Sequence, residues 1–417
     1  MAQLSDDCFA FGGKLLAVDD ALATVSQRLD CLVGTEPVKL SEALDRVLAA
    51  PVVAPRDVPP HNNSAVDGYA VRFADLTQGQ ETRLPIDGRL QAGDPATVSP
   101  RAATALRVFT GAAMPPGPDT IFMQEDCRDK DGIVVLPAGI KKGANYRFAG
   151  EDVRRGETVL EPGTRLGPAN LGLVASLGTD RLDVREQLKV AILSTGNELL
   201  EPGAAARTGA VYDANRYTIG GLLRRAGYAV TDAGILPDRP EQVSTALDRL
   251  SRDHHAIIAS GGVSTGDADY VKDAVEVVGG RLHAWRLAIK PGRPVALGQI
   301  GDCAFIGLPG NPVAVVVTYQ ILARPLLAKL AGRSLPPVPA HPVIADFDYR
   351  KKPGRREYLR VSLAEGDGLP CARRFPRDGA GILSSVVNSD GLLVLDESIQ
   401  GVQAGDRLPF VPWTAFD

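Results

Sequence analysis

The sequence from residue 188 onward alternates apolar segments of strand length with amphipathic segments of helix length. This alternation is typical of a parallel β-sheet with helices on both faces, because each crossover helix packs back onto the sheet. The predicted strands are residues 189–194, 229–236, 255–260, 294–299 and 304–308. The predicted helices are residues 217–226, 241–251, 269–278 and 312–330. We therefore expect a doubly wound α/β domain here.

The N-terminal part of the chain has a different pattern. Residues 18–48 carry apolar side chains at helical spacing with a break near Gly34, which predicts two helices. The following stretch to Gly163 is rich in Pro and Gly and is expected to be mostly β. Its strand-like runs are residues 107–110, 120–123 and 133–136.

The C-terminal part also predicts β-structure. A linker rich in Pro and small residues at 332–342 precedes a segment with short alternating runs. These runs are residues 356–363, 391–395 and 407–411. The segment is expected to form a small β-barrel or sandwich, so the fold class is α/β plus β-rich domains.

Charge and cysteine content exclude several classes of protein. Lys and Arg number 46 against 50 Asp and Glu, a net charge of -4, so we expect neither a general nucleic-acid binder nor a membrane-surface binder. The five cysteines form no Cys-x-x-Cys pair, so neither a disulfide framework nor a structural zinc site is indicated. We identify no apolar run of the roughly 20 residues that span a bilayer. With an acidic start at Asp6 and Asp7, the expected location is the cytoplasm.

A glycine-rich segment, SGGVSTGDAD at residues 260–269, follows one predicted strand. Gly261, Gly262 and Gly266 would let backbone N–H groups approach a phosphate or an oxyanion, since glycine tolerates positive φ. The alternative is a tight turn between strand and helix without a ligand.

Other polar turns follow neighbouring strands, at the sheet edge where open parallel sheets bind ligands. They are TGNE at residues 195–198, Asp238, and PGNP at residues 309–312. Asn311 and Pro312 also have a structural interpretation, as the N-cap and first residue of a helix. Both interpretations are compatible.

Charged side chains cluster at the same predicted edge. Glu198, Asp238, Asp267 and Asp269 supply only oxygen ligands, which favours Mg²⁺ over zinc, although each acid alone would be an ordinary solvated side chain. Lys290 and Arg293 precede a strand, and suit phosphates or a tetrahedral oxyanion. The alternative for these two cations is a solvated strand edge.

Three further motifs are ambiguous by themselves. PPHNNSAVDGYAVR at residues 59–72 includes Asp67, and Gly-Glu-Asp at 150–152 includes Asp152; turn formation alone explains both. The basic run at 351–356, with Arg360, is either a solvated hairpin or an anion contact. The five histidines show no ligand spacing and no paired nucleophile.

Five separated segments resemble the MoeA/gephyrin family in order and spacing, and the resemblance covers nearly the whole chain. They are residues 63–70, 195–199, 260–270, 290–294 and 307–313. The resemblance implies an elongated four-domain protein with a molybdopterin-binding α/β domain and a C-terminal β-barrel-like domain. The implied domains are 1–55 with 150–185, 56–149, 186–333 and 334–417.

The resemblance also assigns site residues. Its implied catalytic residues are Asp67, Glu198, Asp238, Asp269 and Lys290, of which Glu198, Asp238 and Asp269 would bind metal. Its implied substrate-binding residues are Asp152, Ser260, Gly261, Gly262, Gly266, Arg286, Arg293, Pro309, Gly310, Asn311 and Arg360, with Ser384 or Ser385 in addition. The sequence departs from the common family pattern at Asn62, Val66, Arg286 and Arg293.

The activity implied by this resemblance is insertion of molybdate into adenylylated molybdopterin, with Mg²⁺ as cofactor and AMP as a product. A homodimer is implied, with Asp67 reaching the α/β site of the other subunit. Contacts with a molybdopterin adenylyltransferase and with molybdoenzymes are further expectations; nucleic acid and membranes are not expected partners. The alternatives are a molybdopterin adenylyltransferase, which would lack the Asp67 motif, and a non-catalytic molybdopterin-binding scaffold.

Overall fold

The computed structural model describes residues 15–97, 99–262 and 270–416 of the chain. Gly266, Asp267 and Asp269, which the sequence predicts as site residues, lie outside these ranges. Within them, the strands assemble into three six-stranded sheets and several two-stranded ones.

The prediction of a second N-terminal helix is wrong. After α1 (Val18–Arg28) the chain forms strand β1 (Thr35–Lys39) and a single 3-10 turn at Leu40–Glu42. Asp45 then adopts a left-handed backbone conformation with φ of 63°, which a right-handed helix does not accommodate. Leu44, an apolar position of the helical pattern, is 48% exposed.

The next region is a six-stranded sheet, as the β-rich composition predicts. Its strands pair in the order β7-β4-β6-β5-β9-β8. The predicted runs at 120–123 and 133–136 coincide with β7 and β9, and the run at 107–110 overlaps β6. The strands up to this point are β2 (Val52–Val53), β3 (Asn63–Ser64), β4 (Gly68–Val71), β5 (Thr82–Leu90), β6 (Ala105–Val108), β7 (Thr120–Met123), β8 (Arg128–Lys130), β9 (Ile133–Leu136) and β10 (Tyr146–Arg147).

The chain segments on either side of this sheet share one core. Strand β11 (Thr158–Leu160) pairs with β2, and β12 (Arg181–Arg185) pairs with β1. Helix α2 (Pro168–Ser176) lies between β11 and β12, and contributes Val174 to the same apolar cluster as Leu48. The six-stranded sheet is therefore inserted between two halves of a smaller body.

The α/β region contains the predicted strands and helices in the predicted order. Its sheet has the order β16-β13-β17-β21-β20-β18. The elements are β13 (Lys189–Thr195), β14 (Leu199–Leu200), β15 (Val211–Tyr212), α3 (Asn215–Arg225), β16 (Ala229–Leu236), α4 (Pro240–Asp253), β17 (Ala256–Ser260), α5 (Tyr270–Val277), β18 (Arg281–Arg286), β19 (Ile289–Lys290), β20 (Pro294–Ile300), β21 (Cys303–Leu308), α6 (Pro312–Thr318) and α7 (Arg324–Leu330).

Both faces of this sheet are covered by helices. Along β13, Val190 and Ile192 belong to one apolar cluster, and Ala191 and Leu193 belong to a second. The first cluster includes residues of α1, α3, α6 and α7, and the second includes residues of α4 and α5. The continuous apolar runs of these strands follow from burial on both faces.

The expectation of a wholly parallel sheet is wrong at one edge. Strands β16, β13, β17 and β21 are parallel, whereas β20 pairs antiparallel with β21 and with β18, so β20 is the reversed strand. Strand β18 has the sequence RLHAWR, which mixes charged and aromatic residues and gave no clear apolar run.

Helix α6, a π-helical turn at Tyr319–Ala323 and α7 form one stretch, Pro312–Leu330. By length and composition this stretch could cross a membrane, contrary to the expectation from the sequence, but 83% of its most apolar part is buried inside the protein. It packs against α1 and α3, as expected of a core helix.

The last region is a closed β-barrel, as predicted. Neighbouring strands around the barrel are β24, β25, β22, β28 and β26, in that order. A pairing between β24 and β26 closes the ring. The predicted runs at 356–363, 391–395 and 407–411 lie in β24, β26 and β28. The elements are β22 (His341–Ala345), β23 (Tyr349–Arg350), β24 (Arg356–Ala364), β25 (Cys371–Arg374), α8 (Ser384–Val387), β26 (Gly391–Leu395), β27 (Gly401–Val402) and β28 (Arg407–Pro412).

Candidate functional site

A cavity of about 800 Å³ opens between the carboxyl edge of the α/β sheet and the barrel. The α/β region contributes Thr195, Gly196, Glu198, Asp238, Gly261, Gly262, Lys290, Pro291, Gly292, Pro294, Pro309, Gly310, Asn311 and Ala314. The barrel region contributes Tyr349, Tyr358, Leu359, Arg360, Asp378 and Ala380. Parallel sheets bind ligands at this edge, because the loops that follow adjacent strands converge there.

The glycine turn after β17 contributes Gly261 and Gly262 to the cavity wall. Gly261 and Gly262 have φ of +88° and +66°, which side chains rarely adopt. A Cβ on Gly261 would lie 2.7 Å from the carbonyl oxygen of Thr195, and one on Gly262 would lie 2.6 Å from Val271 Cγ2. Only glycine fits this turn, and its backbone is open to close approach by a ligand.

Two of the predicted acids meet at the ends of β13 and β16. Both Glu198 and Asp238 line the cavity. Asn197 N donates to Asp238 Oδ2 at 3.0 Å, and Asp238 N donates to Asn197 Oδ1 at 3.3 Å. The Glu198 carboxylate folds over Gly196, since a Cβ there would lie 2.6 Å from Glu198 Oε2. Asp238 is thus held in place by Asn197, in the turn that follows β13.

A three-carboxylate metal cluster is not tested by the structure. Among the described residues, no three His, Cys, Asp or Glu side chains converge in a way that could hold a metal ion. Glu198 and Asp238 are oxygen donors in one cavity, which suits a hard cation. The third predicted ligand, Asp269, lies outside the described residues.

Asn215, at the start of α3, joins two walls of the cavity, and sequence reasoning missed it. Its Nδ2 donates to Ser260 Oγ at 2.8 Å and to the Gly310 carbonyl at 2.7 Å. The adjacent Arg216 is 5% exposed and is ion-paired with Asp213. The polar run Asp-Ala-Asn-Arg before a predicted helix was the available signal.

The turn after β21 contributes Pro309, Gly310 and Asn311 to the cavity wall. Asn311 occupies the N-cap position of α6, with an extended backbone at φ of -77° and ψ of 127°. Pro312 is the first helical residue. The Asn311 side chain makes no capping hydrogen bond. Its amide is therefore not committed to the helix end.

Lys290 lies in the cavity wall and contacts the barrel. Its Nζ donates to Tyr349 Oη at 2.8 Å and lies 3.5 Å from Glu357 Oε2. Burial lowers the pKa of Lys290, but the hydrogen bond to Tyr349 and the charge of Glu357 outweigh burial and raise it above its ordinary value. Lys290 is thus held as a cation.

Arg360 is the barrel's buried cation in the cavity. It is 6% exposed, and its Nε donates to Ser385 Oγ at 3.1 Å. Burial lowers the pKa of Arg360, and Asp378 partly opposes this effect. Within the described residues no carboxylate forms an ion pair with Arg360, so a ligand anion would meet an uncompensated charge. Asp378 at the rim is 3.5 Å from Arg374 and was not predicted.

Besides Ser384 and Ser385, five predicted site residues within the described ranges do not line the cavity. One of them, Ser260, is buried at the end of β17 and accepts a hydrogen bond from Asn215. Asp152 and Arg286 are exposed, and Arg286 is the register partner of Pro294, a lining residue. Arg293 is half-buried between two lining residues. Asp67 lies in the six-stranded sheet region before β4.

The carboxylate of Asp67 has a defined environment. Thr110 donates to Asp67 Oδ1 twice, from its backbone N–H and from its hydroxyl, each at 2.8 Å. These two hydrogen bonds hold the pKa of Asp67 below its ordinary value. Asp67 is therefore a fixed anion, and Thr110 is a partner that the sequence did not reveal.

Three family models match the chain in succession. Residues 16–178 match the MoeA N-terminal region (domain I and II), residues 191–329 the "Probable molybdopterin binding domain", and residues 342–413 the MoeA C-terminal region (domain IV). The cavity thus lies between the parts that match the second and third models. The fold and this succession define a multidomain protein of the MoeA type.

Whole-chain relatives give the family. A molybdopterin molybdenumtransferase of Haemophilus influenzae is 37% identical, covering 96% of this chain and 99% of the relative. A molybdopterin molybdenumtransferase 2 of Mycobacterium tuberculosis is 33% identical, covering 89% and 93%. The crystal structure of a molybdopterin biosynthesis moeA protein from Pyrococcus horikoshii OT3 has a TM-score of 0.81 at 27% identity, covering 96% and 100%. The chain belongs to the MoeA family of molybdopterin molybdenumtransferases, which confirms the resemblance.

Proposed function

We propose that this protein is a molybdopterin molybdenumtransferase of molybdenum cofactor biosynthesis, which inserts molybdate into adenylylated molybdopterin and releases AMP. The observation that carries the proposal is the cavity between the α/β domain and the barrel, where a glycine turn, three carboxylates and two cations converge. Both proposed substrates are anions, and the cavity offers anion-binding groups from two domains.

The residues divide into groups by chemistry. The backbone at Gly261, Gly262 and Gly310 would bind the phosphates, with Ser260, Pro309 and Asn311 shaping those turns. Lys290 and Arg360 would stabilise negative charge on molybdate and on the phosphate that departs with AMP. Arg286 and Arg293, at the edge of the cavity, would attract the anions.

Glu198 and Asp238, with Asp269 as a third ligand, would hold a Mg²⁺ ion. When bound, that ion would neutralise charge on the pyrophosphate and polarise it. The reciprocal hydrogen bonds between Asn197 and Asp238 leave one Asp238 oxygen, Oδ1, for a cation. Magnesium dependence is tested by AMP release after removal of divalent cations with EDTA.

We also propose a homodimer with a shared site. Asp67 and Asp152 do not line the cavity of their own chain, and Asp67 is nevertheless a fixed anion. A second copy would bring the Asp67 region to the cavity, as a two-fold symmetric assembly allows.

Mixing two inactive variants tests the shared site. Asp67→Asn and Lys290→Ala would each inactivate every site of their own dimers. After subunit exchange, about one quarter of the sites should be intact, because half the dimers are mixed and each mixed dimer has one unaltered site. Activity that does not rise after exchange would contradict the proposal.

The expected partners are adenylylated molybdopterin and molybdate, with a molybdopterin adenylyltransferase and molybdoenzymes as further contacts, in the cytoplasm. Purified protein with adenylylated molybdopterin, molybdate and Mg²⁺ should release AMP. Substrate binding without AMP release would instead indicate a non-catalytic scaffold.

A further inference from the structure

The loop that carries Lys290 is part of the barrel's sheet. Strand β19 of the α/β region pairs in parallel with β24 of the barrel, and Lys290 is the register partner of Glu357. The backbone itself therefore sets the lysine beside this carboxylate. The contact joins two domains at the wall of the cavity.

Glu357 is a fully buried carboxylate between two cations. It is 0% exposed. Arg355 approaches Glu357 Oε1, with Nε donating at 2.8 Å and Nη2 at 2.7 Å. On the other oxygen, Tyr349 Oη donates to Oε2 at 2.6 Å and accepts from Lys290 Nζ at 2.8 Å. One chain of hydrogen bonds thus runs from Lys290 through Tyr349 to Glu357.

The two cations lie at different distances from Glu357. Arg355 takes the direct, bidentate contact with Glu357, whereas Lys290 is 3.5 Å from it. Arg355 is thus the closest cation to Glu357, and Lys290 is attracted by the same carboxylate from a longer distance. Arg374 lies over the Tyr349 ring, with its Cζ 5.2 Å from the ring centroid. A half-buried ammonium without Glu357 and Tyr349 would lose its proton more readily.

We propose that Tyr349 and Glu357 are positioning residues, which hold the Lys290 ammonium charged and aimed at an anionic group of the substrate. This inference rests on the proposed function for the identity of that substrate. It gives the barrel a part in positioning Lys290, since Tyr349 and Glu357 both belong to the barrel region. Neither residue was a predicted site residue.

Competitive labelling tests the proposal without any substrate. Trace acetic anhydride reacts only with uncharged amines, so the labelling of the Lys290 peptide against pH gives the midpoint of its titration. The variants are Tyr349→Phe and Glu357→Gln. The matched control is Glu397→Gln, which removes a carboxylate from Arg356 elsewhere on the barrel, 3.3 Å from that guanidinium.

We expect the Lys290 midpoint to move to lower pH in both variants and to stay unchanged in the control. An unchanged midpoint in Tyr349→Phe, with a native melting temperature, would overturn the proposal. That variant keeps the buried ion pair, so it decides the question even if Glu357→Gln fails to fold.

Activity provides a second and separable readout. Loss of the hydrogen bond to a charged group should lower kcat/KM for AMP release by about tenfold in Tyr349→Phe, and the alkaline limb of its pH profile should move to lower pH. An unmoved alkaline limb would contradict the positioning role. If wild-type protein releases no AMP, the proposed function fails while the labelling result still stands.

Discussion

Replacing Arg216 by Met should destabilise the α/β domain and disturb its cavity together. The guanidinium is 5% exposed and is ion-paired with Asp213, where Nε and Oδ2 are 3.1 Å apart, and with Asp232 and Glu201. Asp213 is 3% exposed, so loss of Arg216 leaves a buried carboxylate without its cation. Met retains the aliphatic part of the side chain, so the change removes mainly the guanidinium with its charge and hydrogen bonds.

The size of the effect follows from burial. Removing one member of a buried ion pair costs about 3–5 kcal/mol, because the charge left behind stays desolvated. The side chains of Glu201 and Asp232 are 49% and 37% exposed and can be hydrated again, so each adds less than about 1 kcal/mol. We expect the free energy of unfolding to fall by about 3–5 kcal/mol.

Urea unfolding followed by tryptophan fluorescence measures this loss. The double variant Asp213→Asn with Arg216→Met should recover most of the stability, since no buried charge then remains. Because Asn215 holds Ser260 and Gly310, the single variant should also bind adenylylated molybdopterin more weakly. A loss below about 1 kcal/mol would refute the reasoning, as would a double variant no more stable than the single one.

Four further predictions follow from the same structure. Asp67→Asn should keep the melting temperature of the protein, because the amide oxygen of Asn still accepts hydrogen bonds from Thr110. AMP release by this variant should fall about 10²-fold. Near-normal AMP release would show that Asp67 has only a structural role. Stability should fall below pH 4.5, the ordinary pKa of Glu. The pKa of Glu357 is lower in the folded protein, so in this range the unfolded chain binds a proton that the folded protein does not. The melting temperature of Glu357→Gln should therefore depend less on acid pH than that of the wild type. Burial raises the pKa of Cys303 to about 12, so iodoacetamide at pH 8 should label it only after unfolding, and labelling of the native thiol would contradict this. EDTA should abolish AMP release, and unchanged release would remove the metal assignment.

The secondary structure of the α/β region was predictable from the sequence, because burial there requires continuous apolar segments. Residues 229–236 and 312–330 are structured over the predicted ranges, since strands covered on both faces and a core helix must be apolar throughout. The prediction of a second N-terminal helix was wrong, because Leu44 continues a helical pattern of apolar residues that the left-handed backbone at Asp45 interrupts. Strand β18 was missed because a short edge strand need not be apolar.

The candidate site divides in the same way. Gly261 and Gly262 were predictable, because a turn that requires positive φ selects glycine locally. Tyr349 and Asp378, which line the cavity, and Glu357, which is buried beside Tyr349, were not predictable, because contacts between distant parts of the chain bring them together. No local pattern distinguishes them from ordinary barrel residues.

The most direct test of the proposed function is AMP release by purified protein from adenylylated molybdopterin, with and without molybdate, in the presence of Mg²⁺. We expect AMP to appear only when molybdate is present, together with molybdenum cofactor. Lys290→Ala should reduce this rate while leaving the melting temperature unchanged. AMP release that is independent of molybdate, or binding of the substrate without release, would contradict the account.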